Sequence, residues 1–91
     1  MPILRLVSRP NSRNEYDAVM AKMDIDHQHP LGLIMHGASE TDGMLQIAQV
    51  WDSEEYARDF ERDTLEPTLR SLDLQPEGTV TMVELHHLVT P

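Results

Sequence analysis

Two strand-like segments joined by a tight turn restrict the fold of this chain more than any other sequence feature. The apolar runs LGLIMHGA (31–38) and MLQIAQVW (44–51) are connected by SETDG. Asp42-Gly43 in this connection is a strong signal for a two-residue hairpin, because both turn positions need residues that accept a positive φ. The sequence therefore predicts an antiparallel hairpin in the middle of the chain.

A strand and a helix are predicted before the hairpin. The apolar segment PILRLVS (2–8) is bounded by turn residues and predicts a first strand. The segment SRNEYDAVMAKMD (12–24) predicts a helix that opens with Ser12 and Glu15 at capping-box spacing. Its apolar residues, which begin at Tyr16, recur at helical spacing.

A helix and a strand are predicted after the hairpin. Ser53 is placed to cap a helix whose inner stripe contains Tyr56, Ala57 and Phe60. Pro67 either interrupts this helix or starts a short second piece at its first turn. The run VTMVELHHLV (80–89) predicts the last strand.

The order β-α-β-β-α-β is the split pattern of ferredoxin-like folds. We therefore predict a single α+β domain over residues 1–91 with a four-stranded antiparallel sheet. Right-handed crossovers place strands one and three in the centre, and for this central pair we expect parallel pairing. The hairpin strand and the last strand are expected at the edges.

The composition of the chain restricts the binding partners that the protein can have. The chain has 91 residues, 16 acidic against 7 basic residues, a formal net charge of −9 and no cysteine. A strongly acidic surface disfavours nucleic acid and anionic membranes as partners. Absence of cysteine excludes disulfides and thiolate chemistry, and indicates a cytoplasmic protein. A core this small favours a homodimer.

Alternation along the strands sorts the residues onto two faces. With the predicted turn, His36 lies opposite Gln49 and Ile34 lies opposite Trp51. The face of the sheet that contains them combines apolar and polar groups: Arg5, Ile34, His36, Ile47, Gln49, Trp51, Met82, Glu84 and His86. The opposite face is uniformly apolar, and we expect it to lie under the helices. The mixed face would then enclose a cavity between two sheets, where Arg5 and Glu84 could pair across neighbouring strands.

Each candidate site residue on the mixed face has a structural alternative. His36 is either a general acid/base or a core histidine bonded to Gln49 or to a carbonyl. His86 with Glu84 is a second acid/base candidate, or part of an interface ion-pair network with Arg5. Trp51 is either a platform for a substrate ring or a packing anchor.

The remaining predicted substrate contacts are Arg5 and Gln49, which would steady an oxyanion, and the apolar Ile34 and Met82. His27 and His29 lie in a polar loop and are interpreted as solvated. Asp24 and Asp26 precede them, but a third imidazole is lacking and the sequence offers no cluster of three convergent ligands, so no metal is expected. Because the sequence shows no flavin motif, no other cofactor is expected either.

The sequence also resembles the dimeric α+β barrel superfamily. The resemblance lies in the order of elements, in PLGLIMHGASETDGMLQIAQVWDSEEYARDFERDTLEPTLRSL in the middle and in HHLV at the end, so it covers nearly the whole chain. The strand QIAQVWDS leading into EEYARDF is its most telling part. The chain is most similar in style to small proteins grouped with antibiotic biosynthesis monooxygenases. The resemblance implies a homodimer whose sheets face each other, with helices outside and a small pocket in each half.

What the resemblance implies for chemistry depends on the branch. Haem-degrading members carry Asn on the first strand and Trp and His on the second helix, where this chain has Ser8, Phe60 and Leu69, so haem cleavage is not expected. The expected function is a cofactor-independent monooxygenase, cyclase or isomerase acting on a hydrophobic, aromatic or polyketide-like metabolite in a pocket between sheet and helices. The alternative is a non-catalytic dimeric barrel that binds a small hydrophobic ligand or serves as an accessory protein.

Overall fold

The elements follow the predicted order. The computed structural model describes residues 1–10, 13–74 and 78–90, with the backbone alone for Arg13. Its elements are β1 (Ile3–Pro10), α1 (Arg13–Met23), β2 (Leu33–Thr41), β3 (Met44–Trp51), α2 (Glu54–Phe60), a π-helical turn (Glu61–Leu65), α3 (Glu66–Ser71) and β4 (Thr79–Glu84). The predicted capping box involves Ser12, which lies outside the described residues.

The four strands form one antiparallel sheet in the order β2-β3-β1-β4. The central position of β1 and β3 is confirmed, but the expected parallel pairing between them is wrong. The crossover through α1 leads from β1 to the edge strand β2, and the hairpin then reverses the chain direction. Strand β3 therefore runs opposite to β1.

The hairpin turn is confirmed, and it sets most of the predicted register. Asp42 and Gly43 have φ angles of 53° and 78°, as a tight hairpin turn requires. His36 pairs with Gln49 as predicted, but a register shift lies between Leu33 and Met35. The predicted pairing of Ile34 with Trp51 is wrong, since Leu33 takes that place and Ile34 is the extra residue of a bulge.

The second helical region remains helical past Pro67. Ser53 caps α2, where its Oγ accepts a hydrogen bond from the backbone N–H of Tyr56 at 3.4 Å. The π-helical turn then joins α2 to α3, and Pro67 lies in the first turn of α3. Proline is tolerated there because the first helical N–H groups have no intrahelical acceptor. Of the two alternatives for Pro67, the structure adopts the short second helix.

The helices cover the mixed face of the sheet, so the predicted assignment of the two faces is reversed. The buried core joins Ile3 and Trp51 of the mixed face to Val19 of α1 and Phe60 of α2. The opposite face, which carries Leu4, Leu6, Met35, Ala48 and Val83, is covered by no helix of the described residues, and we call it the open face. Leu6, Met35 and Val83 are 42 %, 49 % and 45 % exposed there.

The end of the chain departs from the prediction. Strand β4 stops at Glu84, so His86 and His87 lie beyond it and are exposed. Arg5 pairs with Met82 across the strands, and Glu84 pairs with Ile3. The predicted Arg5–Glu84 ion pair is therefore wrong. Within the described part of the chain, no helix is both long and apolar enough to cross a membrane.

Candidate functional site

A cavity of about 110 Å³ lies between the mixed face of the sheet and the helices. Helices α1 and α2, the π-helical turn and α3 supply most of its apolar wall: Val19, Met20, Met23, Phe60, Leu65 and Leu69. Its polar wall consists of Arg5, Arg9, Tyr16, His36 and Gln49. A mainly apolar hollow with a few convergent polar groups is typical of a small-molecule site.

Gln49 is the centre of a hydrogen-bond network in this wall. Its Oε1 accepts hydrogen bonds from Trp51 Nε1–H at 3.0 Å and from Arg5 Nη1–H at 3.3 Å. Its Nε2 lies 3.0 Å from His36 Nδ1, and His36 Nε2 lies 2.7 Å from the hydroxyl oxygen of Tyr16. The network thus connects a strand-borne tryptophan to a tyrosine on α1 through an imidazole.

Arg5 brings a buried positive charge to the floor of the cavity. Its side chain is 5 % exposed, and its Nη2 donates to a carboxylate oxygen of Glu61 at 3.2 Å. Glu61 begins the π-helical turn and is partly exposed. The pair satisfies the requirement that a buried charge have a counter-charge. The sheet and the helices are therefore held together here by an ion pair as well as by apolar packing.

The protonation states of the two site rings follow from their surroundings. Burial lowers the pKa of His36, the carboxylate of Asp26 opposes this, and the positive charge of Arg5 adds to the lowering. Burial raises the pKa of Tyr16, and the carboxylates of Asp17 and Asp26 raise it further. Both side chains are therefore neutral near pH 7.

The lowered pKa of His36 predicts a loss of stability in mild acid. The unfolded chain takes up a proton at this histidine near pH 6.5, and the folded chain resists protonation until a lower pH. The free energy of unfolding should therefore fall as the pH decreases below about 6.5. Denaturant unfolding of wild type and His36→Gln across this range tests the expectation, and the variant should lose that part of the pH dependence.

His27 provides a control of opposite sign. Its Nδ1 lies 2.6 Å from a carboxylate oxygen of Asp24, and this hydrogen bond raises the pKa of His27. A raised pKa adds stability at low pH that disappears as the pH rises, so His27→Gln should steepen the acid loss instead of reducing it. An unchanged pH profile in His36→Gln would contradict the assignment of a neutral, buried imidazole.

The predicted site residues separate into two groups. Arg5, His36, Gln49 and Trp51 come together in one network, although beneath the helices and not between two sheets. The others lie apart from it: Met82 packs against the core, Ile34 is exposed in the bulge, and Glu84 and His86 are exposed at the end of β4. The predicted grouping of His86 and Glu84 with His36 is therefore wrong.

Sequence patterns did not identify two residues of the site. Tyr16 belongs to the apolar stripe of α1, a pattern that indicates a core residue, and Glu61 follows α2 among charged residues, a pattern that is typical of a solvated surface. A hydroxyl on an otherwise apolar stripe was the available signal for Tyr16. In the described ranges, no group of three His, Asp or Glu side chains is arranged to hold a metal ion.

No protein-family model matches the sequence, and no curated protein matches it in sequence. Solved structures do match. Rv0793 from Mycobacterium tuberculosis has a TM-score of 0.75 and 13 % identity, covering 99 % of this chain and 100 % of that chain. A monooxygenase from the gene ActVA-Orf6 of Streptomyces coelicolor, in complex with nanaomycin D, has a TM-score of 0.67 and 14 % identity, covering 98 % and 91 %.

A third match is the "putative antibiotic biosynthesis monooxygenase" of Deinococcus radiodurans. Its TM-score is 0.63 at 13 % identity, and the alignment covers 100 % of this chain and 98 % of that chain. Identities this low establish the fold and leave the chemistry open. The expected resemblance is confirmed at that level: the chain has the ferredoxin-like fold of proteins similar to antibiotic biosynthesis monooxygenases.

Proposed function

We propose that this chain is a cofactor-independent enzyme that acts on a small hydrophobic, aromatic metabolite in the cavity between sheet and helices. The observation that carries the proposal is the buried polar network of Tyr16, His36, Gln49 and Arg5 in the wall of an otherwise apolar cavity. A purely structural core of this size would be cheaper to fill with apolar side chains. The fold shared with a ligand-bound monooxygenase supports the same conclusion.

The size of the cavity restricts the ligand. A cavity of roughly 150 Å³ is known to hold one benzene molecule, and this one has about 110 Å³. A single ring would therefore enter with a small adjustment of the wall, for which the flexible side chains of Met20 and Met23 are suited. A polycyclic, polyketide-like molecule would require the helices to move away from the sheet.

The chemistry we propose is ionisation of a hydroxyl group on the ring, whose proton passes to water and leaves a phenolate in the cavity. The resulting electron-rich species can rearrange, cyclise or react with oxygen. Donors on Arg5 and Gln49 belong to the same network and can stabilise the negative charge that develops on a ligand oxygen. Trp51 is fully buried against Phe60, so we assign it to holding Gln49 and not to stacking on the ligand.

A non-catalytic binding protein is the second candidate. It is favoured by one observation, that both ring nitrogens of His36 already have hydrogen-bond partners in the network. A general base needs a free lone pair within reach of the proton it removes. In this second candidate, the same cavity binds the same class of ligand without transforming it.

We also propose that two copies pair through their open faces. Within one protomer, Leu6, Met35 and Val83 expose apolar surface on the side of the sheet where the described part of the chain places no helix. Small residues, among them Gly37 and Ala48, leave a shallow hollow of about 450 Å³ between them. A second sheet could approach this surface closely, and an apolar patch of this kind is typical of an interface.

The function is tested by screening single-ring phenols, ketones and carboxylates by thermal shift, then following the binders for product formation with oxygen present. Ligands that bind the native cavity should raise the melting temperature. At a ligand concentration of 100 times the Kd, the free energy of unfolding should increase by about 2.7 kcal/mol. Val19→Phe, which places a larger side chain in the cavity wall, should abolish the shift. Val89→Phe, at a position that is 79 % exposed and does not line the cavity, is the matched control and should keep it.

Product formation supports the enzyme, and binding without product supports the second candidate. A library that binds Val19→Phe as well as wild type would contradict both, because the ligand would then lie outside the cavity.

A further inference from the structure

The polar wall of the cavity has spare hydrogen-bond donors. Arg5 Nε–H and Arg9 Nε–H are buried and have no acceptor among the described residues. Both side chains line the cavity, and that of Arg5 is 5 % exposed. No buried side-chain acceptor in the described residues lacks a partner. A buried polar group without a partner is costly, so a ligand that supplies acceptors would relieve that cost.

The network also fixes which nitrogen of His36 carries the proton. Trp51 Nε1 and the guanidinium of Arg5 are donors only, so the Gln49 atom that they share must be the oxygen. Gln49 Nε2 then faces His36 Nδ1 as a donor, which requires Nδ1 to be the acceptor. Since the imidazole is neutral, its single N–H is on Nε2.

This tautomer determines the direction of the last hydrogen bond. His36 Nε2–H donates to the hydroxyl oxygen of Tyr16 at 2.7 Å, so Tyr16 accepts from His36. The hydroxyl hydrogen of Tyr16 is left for another acceptor, and none is present among the hydrogen bonds of the described residues. Tyr16 lines the cavity, so its hydroxyl is a third spare donor there.

We infer that Tyr16 is a specificity-determining residue, which selects ligands carrying an acceptor oxygen, a ketone or a phenolate, through a hydroxyl oriented by His36. This inference rests on the proposed function, because it names the ligand class for the same cavity. Arg5, whose buried Nε–H also has no acceptor among the described residues, lines the same cavity. His36 is then a positioning residue: its Nδ1 lone pair is occupied by Gln49, and its Nε2 already carries a proton.

The orientation of the network resists reversal. Giving His36 the other tautomer would require the Gln49 amide to flip, which would turn its NH₂ toward Trp51 Nε1–H and Arg5 Nη1–H. Two donor–donor contacts would replace two hydrogen bonds in a buried position, and each unsatisfied group is costly there. The donor character of Tyr16 is therefore set by residues two hydrogen bonds away.

The test uses two ligands of the same shape, acetophenone and α-methylstyrene, which differ by a carbonyl oxygen in place of a CH₂ group. Wild-type protein should bind acetophenone about tenfold more tightly than α-methylstyrene, which is the effect expected for a well-formed hydrogen bond to a buried donor. Calorimetry or ligand-induced shifts in NMR spectra measure the two affinities. Tyr16→Phe keeps the ring and removes the hydroxyl, so the preference should fall to about threefold or less. Tyr56→Phe, a tyrosine that does not line the cavity, should keep the full preference.

A separate readout tests the positioning role of His36. In ¹⁵N NMR spectra of the imidazole at neutral pH, the proton should be on Nε2 in wild type, and Trp51→Phe should weaken that preference by removing one of the two donors to Gln49. A proton on Nδ1 would overturn the inference. Equal affinity for the two ligands, or an undiminished preference in Tyr16→Phe, would overturn it while leaving the proposed cavity function intact. Failure of both ligands to bind would contradict the inference, whereas the proposed function is contradicted only if no phenol, ketone or carboxylate of the screen binds the cavity.

Discussion

Glu61→Gln should lower the free energy of unfolding by about 3 kcal/mol or more, although it changes one atom of a partly exposed side chain. The reason is that Glu61 is the counter-charge of the buried Arg5. Arg5 is 5 % exposed and keeps its positive charge in the variant, without the carboxylate that neutralises it. Glutamine can still accept a hydrogen bond from Arg5, so the variant isolates the loss of charge. Urea unfolding measures the effect.

Two further variants make this expectation decisive. Arg5→Met in the Glu61→Gln background removes the buried charge and should recover much of the lost stability, because an apolar side chain is tolerated at a buried position. Glu54→Gln breaks an exposed i,i+4 pair with Arg58 and should cost only about 0.5 kcal/mol or less. Equal losses in Glu54→Gln and Glu61→Gln would show that Arg5 finds another counter-charge or is solvated.

The sequence predicted the parts of the fold that depend on local patterns. The hairpin turn at Asp42-Gly43, the cap at Ser53 and the central position of β1 and β3 follow from residues close in the chain or from general rules of connection. The bulge at Ile34 could not be predicted from alternation. Alternation assumes one residue on each strand for every pair, and nothing local marked the extra residue.

The wrong face assignment came from counting apolar residues without considering their size and their partners. The mixed face carries the large side chains of Ile3 and Trp51, and its polar groups are satisfied by one another and by the helices. The open face was interpreted as uniformly apolar, but some of its residues are small, such as Gly37 and Ala48. Polar groups can be buried when they are hydrogen-bonded, and apolar residues are often left exposed. A count of apolar residues therefore does not decide which face is covered.

The same reason explains why two residues of the site were missed. Tyr16 and Glu61 are ordinary residues in the sequence, one on an apolar helix stripe and one on a charged helix surface. Their roles depend on which face of the sheet the helices cover, since only that choice brings them to His36 and Arg5. A reversed face therefore removed both from the predicted site while leaving the strand residues in it.

Leu6→Glu should convert the proposed homodimer into a folded monomer. Leu6 lies on the central strand β1, beside Ala48 of β3 and Thr81 of β4 on the open face. In a symmetric pair, each copy would bring a carboxylate into an apolar interface, and burying like charges costs several kcal/mol. That corresponds to a weakening of the dimer by a factor of about 10³ or more. Sedimentation velocity at micromolar concentration measures it.

The matched control separates interface charge from total charge. Ala21→Glu adds the same charge at an exposed position of α1, away from the open face, and should leave the dimer intact. Leu6 is 42 % exposed in one protomer, so the Leu6→Glu monomer should keep its circular dichroism spectrum and a cooperative unfolding transition. A wild-type protein that sediments as a stable monomer, or a Leu6→Glu protein as dimeric as wild type, would show that the open face is not the interface. The apolar surface of Leu6, Met35 and Val83 would then need a different partner, because none of the helices that the structure describes covers it.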